Sequence, residues 1–266
     1  DQIYETFSKV KDTIIDIIKD ALELTFRDEI ERRSIPFRLI VAGGDDLCIA
    51  MERSYVVDFA INLSRQFHDR MNSLPSSDPL SEEWLRKRLQ EQGKSTDNLK
   101  LSFGGAFVVT HHKTPFKRIY DLGEELMKIS KIRSNRRYNC VNWKIYIGDE
   151  SEESPFVFEK PLPILKIDQE DESKWSLEKY VNFIENHKKR LTFSQIYQIV
   201  QDIFRVQEDG DDLMKIFRRN YCKTSQNLYQ ILIDEPYFYD YEGDRLNIPK
   251  IMTLFELKRL LKDRSI

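Results

Sequence analysis

The sequence predicts an α+β domain followed by a mostly α-helical one. Apolar residues recur every three or four positions from Gln2 to about Glu31. A continuous apolar run then reverses at Gly43-Gly44, and helix-start signals dominate the chain beyond residue 150. Helical spacing, a strand reversal and a change of pattern near residue 150 together give the fold class and a division into residues 1–150 and 151–266.

Each element follows in order. Ile3, Phe7, Val10, Ile14, Ile17, Ala21 and Leu24 line one face of a long first helix. The run Arg38-Leu39-Ile40-Val41-Ala42 enters the glycine turn, and Leu47-Cys48-Ile49-Ala50 leaves it, which reads as a β-hairpin. From Leu39 to Ala42 and from Leu47 to Ala50 the runs are continuously apolar, so they are expected to be covered by other elements. Ser54 is expected to cap a helix burying Val57, Ala60, Ile61, Leu63, Phe67 and Met71. Residues 75–98 are polar and turn-rich, with a short helical piece near Glu82–Gln90, and read as a surface insertion. Leu99–Thr110 reads as a strand, and Thr114-Pro115 starts a helix bearing Ile119, Leu122, Leu126 and Ile129. Tyr138–Ile147 is the last strand of this half. The acidic segment Asp149–Pro155 marks the boundary. Beyond it, Ser176 caps one helix, and Thr192…Gln195 and Thr253…Glu256 form capping boxes for two more.

Composition narrows the function classes. Net charge is −3, so any nucleic-acid contact must come from local basic patches rather than from the chain as a whole. Cys48, Cys140 and Cys222 are odd in number and far apart. That spacing fits reduced thiols in a cytoplasmic protein better than a disulfide framework. No apolar run approaches the roughly 18 residues of a membrane span.

The hairpin tip carries the chemistry. Gly43 and Gly44 permit a tight reversal and close approach of a phosphate, and Asp45 and Asp46 follow at once. Paired carboxylates on a rigid turn suit Mg²⁺ or Mn²⁺, hard ions that take oxygen ligands and share them with substrate phosphates. This points to metal-assisted nucleotidyl transfer on a nucleoside triphosphate such as ATP. Gly-Gly-Asp-Asp is also ordinary turn chemistry, so the motif needs its context.

That context comes from three stretches: Ala42-Gly43-Gly44-Asp45-Asp46-Leu47, then Leu101-Ser102-Phe103-Gly104-Gly105-Ala106-Phe107-Val108-Val109-Thr110-His111-His112-Lys113-Thr114-Pro115, then Leu126-Met127-Lys128-Ile129-Ser130-Lys131. Together they resemble the palm domain of the large subunit of type III CRISPR effector complexes over roughly residues 1–147, and the rest resembles that family's C-terminal domain more weakly. The resemblance implies a ferredoxin-like palm related to polymerases and diguanylate cyclases. It also implies synthesis of cyclic oligoadenylate from ATP in antiviral defence. By the same likeness Asp45 and Asp46 are metal-binding and catalytic, and Gly43, Gly44, Ser102 and Lys131 bind nucleotide. The expected partners are other effector subunits, guide and target RNA, and a second palm. The family's palm opens with a strand supplying another carboxylate. This chain starts within its first helix, so that strand is expected either upstream or not at all.

Bland readings compete at each position. Ser102 needs no role beyond that of a strand serine, and Lys131 suits any helix C-terminus, as do Arg133, Arg136 and Arg137 beyond it. The arginines could instead meet RNA or a partner subunit. His111 and His112, adjacent at a strand end, are expected to point apart and not to share a metal. Glu208-Asp209-Gly210-Asp211-Asp212 repeats the Gly-Asp-Asp string without flanking strands and reads as a solvated loop. The alternatives are a catalytically silent palm serving as scaffold, a stand-alone cyclic-dinucleotide synthase and, ranked last, a diguanylate cyclase.

Overall fold

A computed structural model describes residues 2–32, 34–43, 46–94, 96, 101–145, 160–166, 175–209, 231–232, 234–235, 237–240 and 245–261. The chain forms two compact units, Asp1–Tyr146 with Pro161–Ile167, and Ile147–Lys160 with Asp168–Ile266.

In the first unit, α1 (Gln2–Thr25) and α3 (Val56–Asn72) pack antiparallel. Asn62 bonds Thr25, Arg70 pairs with Asp20 and Tyr55 donates to Glu29, so positions rise along one helix as they fall along the other. The long first helix is broken at Phe26, ahead of α2 (Arg27–Glu31). Phe26 leaves helical geometry (φ −115°, ψ 26°) and is fully buried, with its ring 4.9 Å from both Phe37 and Tyr55. An aromatic packed on residues far along the chain outweighs the local helical periodicity.

The hairpin follows as β1 (Phe37–Gly43) and β2 (Asp46–Met51), an antiparallel two-stranded sheet. Ser54 does not cap α3. A 3₁₀ turn at Arg53–Tyr55 precedes that helix, and the Ser54 hydroxyl bonds Glu52. Helix α4 (Glu82–Glu91) lies in the expected insertion and is capped by Ser81, whose oxygen accepts from the Trp84 N–H. The insertion is only partly superficial. Asp78, Leu80 and Ser81 are buried, and Asp78 is ion-paired to Lys9 at 2.6 Å.

Strand β3 (Gly104–Val109), helix α5 (Phe116–Arg133) and strand β4 (Cys140–Ile145) form a β–α–β unit in which the strands run parallel and the helix covers both. The sequence places the helix start at Thr114-Pro115. Pro115 takes the cap position without a side-chain bond, while the Thr114 hydroxyl bonds Thr110. Strand β4 is the buried centre, with Cys140 and Trp143 fully covered and Phe107 stacked on Trp143 at 5.6 Å. Its other edge takes β5 (Leu162–Pro163), antiparallel, which the sequence reading missed.

The second unit contains α6 (Leu177–Asn186), α7 (Phe193–Asp209), a ribbon of β6 (Tyr239–Asp240) and β7 (Arg245–Leu246), and α8 (Ile248–Leu260), which packs on α6 and α7. Trp175 is its buried anchor, stacked on Tyr237 at 4.3 Å and donating its backbone N–H to the Tyr237 hydroxyl. Ser176 caps α6 and the Thr192–Gln195 box is formed. The Thr253–Glu256 box is not. Thr253 lies buried inside α8, Asn247 caps that helix instead, and Glu256 pairs with Lys160. Glu208 and Asp209 end α7, and residues 210–212 lie outside the described residues. Among the described residues no helix is long and apolar enough to cross a membrane.

Candidate functional site

The register of the hairpin fixes its tip. Gly43 pairs with Asp46 at the end of the ribbon; Gly44 and Asp45, between them in sequence, lie outside the described residues. A tight hairpin reversal favours residues that tolerate positive φ, and glycine meets that need best. Asp46 is exposed and has no ion-pair partner among the described residues.

Cross-strand partners share a face, so the pairing also sorts the side chains. Phe37, Leu39 and Ala42 lie on one face with Met51, Ile49 and Leu47. Arg38, Val41 and Gly43 lie on the other with Ala50, Cys48 and Asp46. The register shifts between Leu39 and Val41, leaving Ile40 as a bulge that bends the ribbon. Phe37 anchors the base against Phe26. Beyond that base the expected cover is missing from the described residues: Leu39, Ile40 and Val41 are each 41–47% exposed.

A second group of expected residues meets at the start of β3. Lys131, in the last turn of α5, is half-buried and lies over Gly104. A Cβ at position 104 would sit 2.5 Å from the Lys131 Cγ, 3.3 Å from its backbone N and 3.4 Å from the Met127 carbonyl oxygen. Only a glycine lets helix and strand approach this closely. Ser102 precedes the strand rather than lying in it, and its hydroxyl donates to the Arg136 carbonyl at 2.8 Å. Asn135 (φ 48°) and Arg136 (φ 55°) both adopt left-handed backbone, which asparagine tolerates and arginine adopts at a cost. Ser102 is thus tied to the loop beyond α5, and Lys131 lies over the first residue of β3. The hairpin and the β3–β4–β5 sheet remain separate sheets.

Two supporting residues escaped the sequence reading. The Asn139 side-chain Oδ1 accepts the Phe103 N–H at 3.1 Å while its side-chain amide NH₂ donates to the Ser64 hydroxyl on α3. Ser130, fully buried, donates to the Gly105 carbonyl at 3.0 Å. Asn139 falls inside the strand expected over Tyr138–Ile147, where nothing local marks it, and nothing local marks Ser130 either.

His111 and His112 do not point apart. Both are exposed in a turn, with ring centroids 4.2 Å apart. His68 bonds Asn72, and His187 packs against Phe183. Among the described residues no three His, Cys, Asp or Glu side chains gather as a metal cluster. Cys48 and Cys140 are free thiols, and burial pushes the Cys140 thiol up to about 12. Cys222 lies outside the described residues.

The family model for the second palm domain of Cas10/Cmr2 matches residues 1–140. The chain belongs to that family. It therefore carries a palm of the type III CRISPR large subunit, a component of a multi-subunit effector complex, on a nucleotidyltransferase-like fold. No curated protein matches the chain. The matched Cas10/Cmr2 region includes the hairpin, β3 and α5, and ends at the first residue of β4.

Proposed function

We propose that this palm is an ATP-using nucleotidyltransferase that makes cyclic oligoadenylate signals in type III CRISPR defence. One observation carries the reading: in a chain of the Cas10/Cmr2 palm family, Asp46 pairs with Gly43 at the end of a ribbon and is exposed, without an ion-pair partner among the described residues.

The donor set suits a hard divalent cation, since adjacent carboxylates supply oxygen ligands and leave room for phosphate oxygens. Asp45 and Asp46 would hold Mg²⁺ or Mn²⁺, which when bound lowers the pKa of a ribose 3′-hydroxyl and offsets charge on the triphosphate. Gly43 and Gly44 leave the turn backbone open to a phosphate. Lys131 would supply a cation from the C-terminal turn of α5 for the departing pyrophosphate. Catalysis by such a site is mainly positioning and electrostatic stabilisation. Cyclisation calls for a donor and an acceptor nucleotide, so a second palm, guide and target RNA and the other effector subunits complete the working assembly.

A silent, scaffolding palm is the second reading, favoured by the bare apolar residues Leu39, Ile40 and Val41, which suit a surface docked in an assembly. Incubating the intact effector complex with ATP, Mg²⁺ and target RNA, with mass spectrometry of the products, separates the two. Cyclic oligoadenylate lost in Asp45→Ala/Asp46→Ala with the complex intact supports the enzyme. Undiminished product in that variant removes the site.

A further inference from the structure

We propose that Ser102 is a positioning residue whose hydroxyl locks a left-handed arginine loop into a binding surface for successive phosphates of a nucleotide ligand. The proposal rests on the nucleotide-site reading above and adds Arg133, Arg136 and Arg137 to it.

Charge is the first observation. Between Leu126 and Gly148 the chain has six cationic residues and no carboxylate. Four of the six, Lys131, Arg133, Arg136 and Arg137, fall within seven residues. The three arginines are exposed, and none of the four has an ion-pair partner among the described residues. Surface cations elsewhere in this unit do find acids, as Lys9, Lys117 and Arg88 do. A cation cluster left without counter-charges favours a polyanion, and guanidinium groups match phosphate oxygens in pairs.

The second observation is that the loop is built rather than loose. Asn135 and Arg136 are consecutive left-handed residues, and the arginine keeps that conformation only where surroundings impose it. Those surroundings are visible. Ser134 is buried and its oxygen accepts the Arg136 N–H, while the Arg137 N–H donates to the Ser134 carbonyl. Ser102 donates to the Arg136 carbonyl from 34 residues away. That bond commits the serine's proton to the loop, so the hydroxyl acts on a nucleotide through Arg136 and Arg137. The ligand is recognised by phosphate oxyanions, which either a triphosphate or an RNA backbone supplies.

The test is equilibrium binding of the full chain to ATP and, separately, to a labelled single-stranded oligoadenylate, across a salt series in EDTA. Without metal, no cation bridges the carboxylates to the phosphates, so the binding lost in the arginine variants is read independently of the catalytic reading. Arg136→Gln/Arg137→Gln is expected to weaken binding about tenfold and to lower the salt slope by roughly 1.4, about 0.7 for each lost phosphate contact to a single strand. Ser102→Ala shifts both quantities in the same direction, and Ser102→Thr restores them. Asn135→Val, which opposes the left-handed backbone without touching Ser102, gives the same loss and serves if Ser102→Ala does not fold. Loss for ATP alone assigns the triphosphate, and loss for oligoadenylate alone assigns the backbone. Wild-type affinity and slope for both ligands in the double arginine variant, as a protein-docking role would give, overturns the proposal. So does a Ser102→Ala protein that folds and binds unchanged.

Discussion

Gly104 lies so close to Lys131 that a methyl group in place of its hydrogen would stand 2.5 Å from the lysine's Cγ. The neighbouring Gly105 is different, with nothing nearer than 3.7 Å to its own added Cβ. Gly104→Ala is therefore expected to cost about 1–3 kcal/mol by forcing the last turn of α5 off the strand. Gly105→Ala stays within about 1 kcal/mol of wild type. Urea melts check both. Because the clash is with Lys131 itself, Gly104→Ala also weakens nucleotide binding beyond what its stability explains, and Gly105→Ala does not.

Asn139 holds the start of β3 to α3 through one side chain. In Asn139→Ala the Phe103 N–H loses its acceptor and Ser64, itself buried, loses a donor. The expected cost is about 1–3 kcal/mol. Asn139→Asp keeps the acceptor for Phe103 but not the donor to Ser64, and should fall between the two. A near-neutral Asn139→Ala melt would show that the strand start is held by other means.

Asp78 makes acid stability readable. Burial alone would raise its carboxyl, but the Lys9 hydrogen bond, the Leu80 N–H and the Lys9 charge together hold it below the ordinary 3.8. A depressed carboxyl contributes stability above its unfolded value and loses it as pH falls through the folded one. Wild type should thus exceed Asp78→Asn by about 1 kcal/mol near neutrality, Lys9 being half exposed to solvent. The gap should close below about pH 3.8. Thermal melts from pH 7 to pH 2.5 follow it, and a constant gap would refute the pairing.

Cys140 has the opposite sign. Its thiol stays protonated in the folded protein up to about 12, against an ordinary value of 9.0. Stability it contributes is present below 9.0 and is lost as pH rises between those values, where only the unfolded chain ionises. At pH 8, iodoacetamide should leave Cys140 unmodified in native protein and label it in urea, as peptide mass spectrometry will report. Cys48 is partly exposed with its thiol raised by burial, and should react slowly in the native state.

Much of this was legible in the residues. The helical spacing of Val57, Ile61 and Leu126, the reversal at Gly43 and the Ser176 cap all correspond to elements present. The hairpin was legible because the reversal between two apolar runs is a local signal. What escaped depended on partners distant in sequence. The break at Phe26 comes from stacking on Phe37 and Tyr55, although periodicity runs on through Ile30. Ile40's bulge is invisible in a run that is apolar at every position. The Ser102–Arg136 bond spans 34 residues, and no spacing rule reaches that far. The Thr253–Glu256 error was avoidable, since Asn247-Ile248-Pro249 carries a cap and an early proline of its own.

The indoles give each half of the molecule its own reporter. Trp143 is sealed inside the first unit and Trp175 inside the second, while Trp84 is only half covered. Replacing both Trp84 and Trp143 by phenylalanine makes the fluorescence of denaturation follow the helical half. Replacing Trp175 makes it follow the palm, so one spectrometer can tell whether the two come apart together.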